Sequence, residues 1–271
     1  MILLFSETKS DYSQYLYPYV IWAVPEPGEK PSDLFRQGFL PASPQLDRWY
    51  LCRNLRVDLR RFKASSENRR ILRKGEGIAM DLIARDRFDY TEARRAAWKA
   101  YADARFGPDV MPLERLDRLM RGPVISHLLQ FTDRASGRAV GTVLMFLEEP
   151  AIAYYYYAFY DLEYAARSLG MFMMTTAVNG FEQRGFTHFH HGTCYSRRAL
   201  YKTQFAGIQF FNGFRWSDDL EELKFLLARE EKPVSGHLLE MPEFQEVFYD
   251  GAVAKMAAAA HLRTRTQSHR S

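Results

Sequence analysis

The spacing of hydrophobic residues separates a proline-rich beginning of this chain from a long stretch of alternating helices and strands. Residues 1–50 carry repeated prolines, which fix backbone dihedrals and remove amide donors, so long helices are not expected there. From residue 77 onward, hydrophobic positions switch between strand-like and helix-like spacing. This spacing predicts strands at 77–85, 124–133, 139–148, 151–159, 186–192 and 208–216, and helices at 90–105, 112–120, 168–184, 197–205 and 220–230.

Local signals support several of these elements. Thr91 is suited to cap helix 90–105, Pro112 to open the next helix, and Ser136-Gly137 to form a hairpin turn. Residues 49–59 alternate as one half-buried strand does, and Ser65 or Ser66 can cap a short basic helix after it. We therefore predict an α/β protein with a mixed, mainly antiparallel sheet.

The order of the elements from residue 77 onward resembles the GNAT acyltransferase fold. In that fold two central strands separate, and an acyl donor lies between them. The chain then divides into a basic, proline-rich N-terminal module (1–75), a GNAT-like transferase domain (76–240) and a C-terminal Ala-rich helix with a basic tail (241–271).

Composition excludes several classes of protein. Hydrophobic residues make up 47% of the chain and charged residues 26%, as in ordinary globular domains. No apolar run is long enough for a membrane span, and the apolar start ends too early for a secretory signal, so we expect a cytoplasmic protein without a membrane partner. The two cysteines, Cys52 and Cys194, indicate neither a disulfide framework nor a metal site.

Positive charge is concentrated in one segment. The net charge is +4, yet residues 53–74 contain nine Lys or Arg against two acids. Clustered cations attract a phosphate backbone, although a solvated amphipathic segment also carries such charges. The residues proposed to bind RNA are Arg60, Arg61, Arg69, Arg70, Arg73 and Lys74.

Residues 167–170 (Arg-Ser-Leu-Gly) lie where a strand leads into a helix. Helix N-termini present unpaired N–H groups, which suit a phosphate ligand, so Arg167, Ser168, Leu169 and Gly170 are candidates for substrate binding. Gly170 can also serve ordinary helix packing. The Phe172 ring is expected to crowd a pyrophosphate that lies against this helix start, which argues against an acyl-CoA donor.

An aromatic run, residues 154–160, precedes that turn. Strand alternation assigns Tyr154, Tyr156 and Ala158 to one face and Tyr155, Tyr157 and Phe159 to the other. Most of these rings are expected in the core, with Tyr156 as a candidate for lining a pocket. Asp161 follows the strand directly; its carboxylate can orient an attacking amine and accept its proton, or it can be a solvated turn residue.

Two further segments carry reactive side chains. His188 and His190 share one face of a predicted strand and His191 points the other way; without a third ligand they do not predict a metal site, whereas a histidine can act as a general base. In the predicted helix after them, Arg198 stands three residues before Tyr201 and four before Lys202. These three side chains can therefore face one ligand, unless the helix is simply a charged surface element.

Together these segments resemble the arginyl- and leucyl-tRNA–protein transferases. The family reads F-D-P, S-L-G, Y-L-G-Y and S-R-K-M-x-Y-K where this chain has Phe159-Tyr160-Asp161, Ser168-Leu169-Gly170, residues 188–191 and Ser196-Arg197-Arg198-Ala199-Leu200-Tyr201-Lys202. The basic segment also fits, through Arg56-Val57, Phe62, Ser65-Ser66 and Asn68-Arg69-Arg70. His188 and His190 depart from the family, since they replace a tyrosine and a glycine.

The resemblance implies that the chain moves an amino acid, arginine or leucine, from aminoacyl-tRNA to the N-terminal amine of a protein or peptide, without a cofactor. It implies catalytic roles for Asp161 and Tyr201 and substrate binding by Arg198 and Lys202. From their own chemistry and placement, His190 is added as a possible general base, and Tyr156 and His188 are added as candidates for substrate binding. Family members often carry an N-terminal cysteine cluster for a metal, which this chain lacks. Two alternatives are a GNAT enzyme with an acyl-CoA donor and a non-catalytic RNA-binding relative.

Overall fold

A computed structural model of the chain describes residues 1–7, 19–231, 238 and 241–261, with the side chains of residues 6, 7, 165–167, 253, 256 and 257 excepted. Within those residues the strands form two sheets. The smaller sheet has the order β1-β2-β4-β3 and consists of β1 (Ile2–Glu7), β2 (Tyr19–Val24), β3 (Phe39–Pro41) and β4 (Trp49–Leu51). The larger sheet consists of β5 (Asn54–Asp58), β6 (Ile78–Ala84), β7 (His127–Asp133), β8 (Ala139–Glu148), β9 (Ile152–Tyr160), β10 (His188–Thr193), β11 (Ile208–Phe211) and β12 (Trp216–Ser217).

The order in the larger sheet is β12-β11-β5-β10-β9-β8-β7-β6. Every neighbouring pair is antiparallel except β9 and β10, which are parallel. The predicted α/β class with a mixed, mainly antiparallel sheet is therefore confirmed. The parallel pair lies in the interior of the sheet, with β5 beside β10 and β8 beside β9.

Helices cover both faces of the larger sheet. The helices are α1 (Pro31–Arg36), α2 (Ser66–Lys74), α3 (Glu92–Phe106), α4 (Leu113–Arg121), α5 (Leu169–Gln183), α6 (Leu220–Glu230), α7 (Pro242–Tyr249) and α8 (Val253–Ala259). On one face α5 packs with α2, α6 and α7 around Phe181, Phe189 and Phe210. On the other face α3 and α4 cover one end, and α1 with the smaller sheet covers the rest.

Local chemistry begins the predicted helices where expected. The Thr91 hydroxyl accepts from the Arg94 amide at 3.3 Å, and Pro112 stands directly before α4. Ser65 and Asn68 exchange side-chain and backbone hydrogen bonds at 3.0 and 3.1 Å, so Ser65 is the cap of α2. These caps are set by neighbouring residues alone, and for that reason the sequence predicts them correctly.

Two predicted strands are each two strands in the structure. Residues 49–59 divide at Cys52-Arg53, where the Asn54 amide bonds to the Cys52 carbonyl at 2.8 Å, and β4 and β5 belong to different sheets. Residues 208–216 divide at Asn212, whose side chain accepts from the amides of Phe214 and Arg215 at 3.2 and 3.0 Å. Each short turn reverses or redirects the chain without interrupting the hydrophobic pattern.

The predicted alternation along 154–160 is wrong beyond Tyr155. Met145 pairs with Tyr155 and Leu144 with Tyr157, so Tyr156 is an extra residue that has no partner on β8. A bulge of this kind moves every later side chain to the other face. Phe159 therefore packs with Leu144 and Trp98 beneath α3, and not on the face of Tyr155.

The remaining segments differ from expectation in detail. Residues 197–203 form a 3-10 helix, α8 corresponds to the predicted Ala-rich helix, and the basic tail after residue 261 lies outside the described residues. The border between the two sheets falls at Cys52-Arg53, and β5 lies inside the larger sheet between β10 and β11. The domain boundaries at 75 and 240 stay predictions.

Candidate active site

The candidate site lies where β9 and β10 separate. Their pairing joins His188–His190 to Ile152–Tyr154 and ends there, although both strands continue. A cavity of about 620 Å³ lies at this separation, between the splayed strands, the start of α5 and the end of α3. Its volume is in the range of small-molecule and cofactor sites.

The first turn of α5 forms one wall of this cavity. Ser168 has a left-handed backbone (φ 57°) and makes no side-chain cap, so the first N–H groups of the helix remain available. The Tyr160 ring and hydroxyl lie against Gly170, where a Cβ would stand 3.0 Å from them. Ser168, Leu169 and Gly170 all line the cavity, whereas the side chain of Arg167 lies outside what the structure describes.

The expectation that Phe172 crowds this helix start is wrong. Its ring is 5% exposed and turns away from the cavity to contact Phe131 and the end of α2. At Gly75, which follows α2, a Cβ would overlap the ring. Phe172 therefore links α2 to α5 and does not bear on which donor the cavity admits.

Tyr201 and Lys202 line the opposite side of the cavity. The Lys202 ammonium donates to the Thr193 carbonyl at 3.1 Å, and partial burial lowers the pKa of that ammonium. It has no carboxylate partner among the described residues, so its charge remains uncompensated. Arg198 is exposed and does not line the cavity, because the chain turns away within the 3-10 helix.

His191 lines the cavity, and the sequence prediction did not include it among the site residues. Its Nε2–H donates to the Lys202 carbonyl at 2.9 Å, which joins β10 to the segment that carries Tyr201 and Lys202. Burial lowers its pKa to about 3, so the ring is neutral near neutral pH. Strand alternation already separated His191 from His188 and His190, and this was the signal that could have identified it.

His188 and His190 lie on the face of the sheet away from the cavity. His190 is fully buried; its Nδ1 lies 3.0 Å from the Asn54 amide nitrogen, and its ring lies 4.8 Å from that of Phe35. Burial lowers the pKa of His190 well below its usual value and that of His188 to about 4. The structure thus does not bring either ring to the residues that line the cavity.

The lowered pKa values of His188, which is half-buried, and of the buried His190 and His191 predict a loss of stability in mild acid. Their pKa values are lowered in the folded state, so the unfolded chain binds more protons between the folded values and about 6.5. Stability should therefore fall as pH drops from about 6.5 to 4, by up to about 1.4 kcal/mol per pH unit for each histidine.

Urea unfolding at pH 7.5, 6, 5 and 4.5 measures this slope. The matched variant is His188→Gln, which should show a shallower slope because it removes one of the three groups. The carboxylates whose pKa is lowered, Asp58 and Asp117 among them, contribute mainly below about pH 5, so the slope between pH 7.5 and 5 is set by histidines. A free energy of unfolding that is constant from pH 7.5 to 5 would contradict the prediction.

Asp161 lies in a neighbouring cavity of about 530 Å³, on the other side of Tyr160 and Tyr101. Its carboxylate is ion-paired with Arg138 and accepts from the Glu163 amide at 2.9 Å. It does not line the cavity that contains Tyr156, Tyr201 and Lys202. The structure therefore separates Asp161 from the other predicted catalytic residues.

Helix α3 contributes residues that sequence reasoning missed. Tyr101, Arg105 and Phe106 line the cavity from the last turns of α3, and Met171 and Met174 line it from α5. Nothing in the spacing along the chain indicated that α3 reaches the separated strands, because this contact is set by the packing of α3 on the sheet.

The basic segment is partly neutralised. Arg60 pairs with Asp58, Arg61 with Asp218 and Arg70 with Glu67, while Arg69 donates to the Ala64 carbonyl. Arg73 and Lys74, at the end of α2, are exposed and have no ion pair among the residues that the structure describes. Among the described residues, the exposed cations of this segment without an ion pair are therefore Lys63 and Arg69 near the start of α2, and Arg73 and Lys74 at the end that packs on α5.

Comparisons with known proteins identify distant relatives. An aspartate/glutamate leucyltransferase from Xanthomonas oryzae pv. oryzae is 24% identical over 181 residues, which cover 62% of this chain and 69% of that protein. One from Ruegeria pomeroyi is 23% identical over 169 residues, or 61% of each chain. No protein-family model matches the chain.

Among solved structures, the chain is similar to a GCN5-related N-acetyltransferase from Sphaerobacter thermophilus, with 16% identity, a TM-score of 0.38 and coverage of 66% of this chain and 51% of that one. In the described part of the chain, no helix has the length and apolar character needed to cross a membrane. The named relatives are aminoacyl transferases, which is consistent with an aminoacyltransferase.

Proposed function

We propose that this protein is an aminoacyl-tRNA–protein transferase that moves leucine from charged tRNA to the N-terminal amine of a protein beginning with aspartate or glutamate. The observation that carries the proposal is the lining of the cavity at the separated strands. Its wall is aromatic and apolar, and among the residues that the structure describes its charged members are Arg105 and Lys202, with no carboxylate.

The residues that line the cavity favour leucine over arginine, the two amino acids that the resemblance implies. An arginine side chain would enter a cavity that already holds two cations and offers no acid to pair with it, which is costly in a partly desolvated site. A leucine side chain instead finds Met171, Met174 and the tyrosine rings. The names of the distant relatives, which are leucyltransferases, support the same choice.

The reaction requires little more than positioning. The amine nitrogen attacks the ester carbonyl, the new C–N bond forms, the C–O bond to the ribose breaks, and the ammonium proton leaves to the ribose oxygen or to solvent. Beyond Tyr154, the edge of β9 that faced β10 has no strand partner, so its backbone N–H groups can bind the developing oxyanion.

Proton transfer does not require an acid or base inside the cavity. The amine of a protein N-terminus has a pKa near 8, and two nearby cations lower it further, so an unprotonated fraction is present at neutral pH. Asp161 stands in the neighbouring cavity and His190 on the opposite face of the sheet. We therefore assign neither residue to proton transfer, and we give Lys202 and the β9 edge the main electrostatic role.

A transfer assay tests the function. Purified protein is mixed with leucyl-tRNA or arginyl-tRNA and with peptides that begin with Asp, Glu, Asn, Arg or Lys, and products are read by mass spectrometry. We expect leucine on the Asp and Glu peptides. Binding of tRNA without transfer to any peptide would indicate a non-catalytic relative, and binding of an acyl-CoA without binding of tRNA would indicate the other alternative.

For the tRNA itself we propose the exposed end of α2 as a contact. Charge reversal of Arg73 and Lys74 should weaken tRNA binding by about tenfold or more, and should reduce the slope of log K against log[salt] by about one per lost phosphate contact. Filter binding at several salt concentrations measures both quantities. The control is Arg118→Glu, which removes an exposed charge from α4 on the other face of the sheet; equal slopes for all three proteins would place the RNA elsewhere.

A further inference from the structure

The cations along α3 differ in their partners. Arg95 pairs with Asp117 at 2.9 Å and with Glu92 at 3.0 Å, and Lys99 pairs with Asp103. Arg105, in the last turn of the same helix, has no ion pair among the described residues. Of the four cations of α3, Arg95 and Lys99 are thus neutralised within the fold and Arg94 lies over the Phe88 ring, whereas Arg105 lines the cavity without an ion pair among the described residues.

Arg105 is also the accessible one of the two cavity cations. Its guanidinium is exposed and lies beside the hydroxyl of Tyr101. Lys202 is half-buried and already donates to the Thr193 carbonyl. A peptide entering from solvent therefore meets Arg105 first, and the donor ester reaches Lys202 deeper in the cavity.

We propose that Arg105 selects acidic acceptors by binding the side-chain carboxylate of the first residue of the acceptor protein. The assignment rests on the proposed function and adds the residue that sets its specificity. A guanidinium matches a carboxylate with two parallel hydrogen bonds, and the geometry is fixed by the planar fork. The Tyr101 hydroxyl lies beside the guanidinium, and both residues line the cavity.

A contact of this kind predicts that the protein discriminates between acceptors by their first residue, and not only that it binds acidic acceptors. An acceptor that begins with asparagine has nearly the same shape as aspartate but lacks the charge, so the ratio of kcat/KM for Asp and Asn peptides isolates the contact. An acceptor that begins with lysine would place a third cation beside Arg105 and Lys202, and it should be the poorest substrate of the wild-type protein.

The experiment measures kcat/KM for peptides that differ only in a first residue of Asp, Asn or Lys, with leucyl-tRNA as the donor. Arg105→Met should lower the ratio of kcat/KM for the Asp peptide to that for the Asn peptide by about 30-fold or more. The value of kcat/KM for the Asn peptide itself should change little. Arg105→Lys should retain part of the ratio, and Arg105→Glu should favour the Lys peptide over the Asp peptide. The matched control is Arg94→Met, which changes a cation of the neighbouring cavity and should leave the ratio unchanged.

The possible failures are distinguishable. If the wild-type protein transfers leucine and Arg105→Met keeps the same ratio of kcat/KM for Asp and Asn peptides, the role of Arg105 is overturned and the transferase function stands. A wild-type protein without transfer to any peptide would overturn the proposed function and the specificity assignment together. If Arg105→Met and Arg105→Lys each lower kcat/KM equally for Asp and Asn peptides, Arg105 has a structural role. That result also contradicts the proposal.

Discussion

Replacing Lys202 with methionine should lower kcat/KM for leucyl transfer by about 100-fold. The methionine keeps most of the side-chain volume but removes the uncompensated charge that lines the cavity beside the start of α5. That charge is partly withdrawn from water, so its attraction for the oxyanion of the tetrahedral intermediate is stronger than it would be at the surface. Single-turnover rates with leucyl-tRNA and an Asp peptide measure the effect.

The form of the loss identifies what Lys202 does. A decrease in kcat with little change in KM is expected if the ammonium acts mainly on the transition state. A rise in KM alone would assign Lys202 to ground-state binding of the tRNA phosphate, and an unchanged kcat/KM would remove it from the site. Lys224→Met, at an exposed ion pair on α6, controls for the loss of a cation in general.

Replacing Gly75 with alanine should destabilise the fold by about 3 kcal/mol, because the new methyl group overlaps the buried Phe172 ring. The backbone of Gly75 (φ −96°, ψ 11°) suits alanine, so the whole cost comes from crowding. Urea denaturation at pH 7.5 measures it. Gly180→Ala, within α5, is the matched control: its Cβ meets only the flexible end of Met80, and the change should be neutral or stabilising by about 1 kcal/mol.

A double-mutant cycle tests the proposed cause. Phe172→Ala removes Cγ, Cδ2 and Cε2, the ring atoms that the methyl group would strike, so Gly75→Ala should cost much less in that background. Additive losses would mean that the cost at Gly75 arises elsewhere. A weakened tRNA affinity in Gly75→Ala protein that is still folded would further indicate that the packing of α2 on α5 positions the basic residues.

The sequence predicts local features of this fold well and long-range ones poorly. Thr91, Pro112 and Ser65 act on residues within one helical turn, so their effect can be deduced from the sequence nearby. The divisions at Cys52 and Asn212 and the bulge at Tyr156 leave the hydrophobic pattern nearly unchanged. Such breaks depend on which strand lies alongside, and a single segment of sequence does not contain that information.

The same distinction applies to the site. The segment around Ser168 and the pair Tyr201 and Lys202 were identified because helix starts and basic helices have recognisable chemistry, and the structure brings them to one cavity. Asp161 is predicted from its chemistry and its match to the family motif, and His190 from its chemistry alone, but pairing with Arg138 and burial against Phe35 place them elsewhere. Arg105 was missed because only the packing of α3 brings it to the separated strands.

The position of β5 has a consequence for how the chain folds. Residues 54–58 are made early, yet their two neighbours in the sheet, β10 and β11, come much later; Asp58 pairs with His188 and Val57 with Ile208. Pairings this distant in sequence close slowly, so during synthesis β5 stays unpaired, with Leu55 and Val57 uncovered, while most of the chain emerges. A nascent chain stalled before β10 should therefore expose β5 to proteases and chaperones. The core of the larger sheet should become protected from proteolysis in one late step, after β10 and β11 have been made.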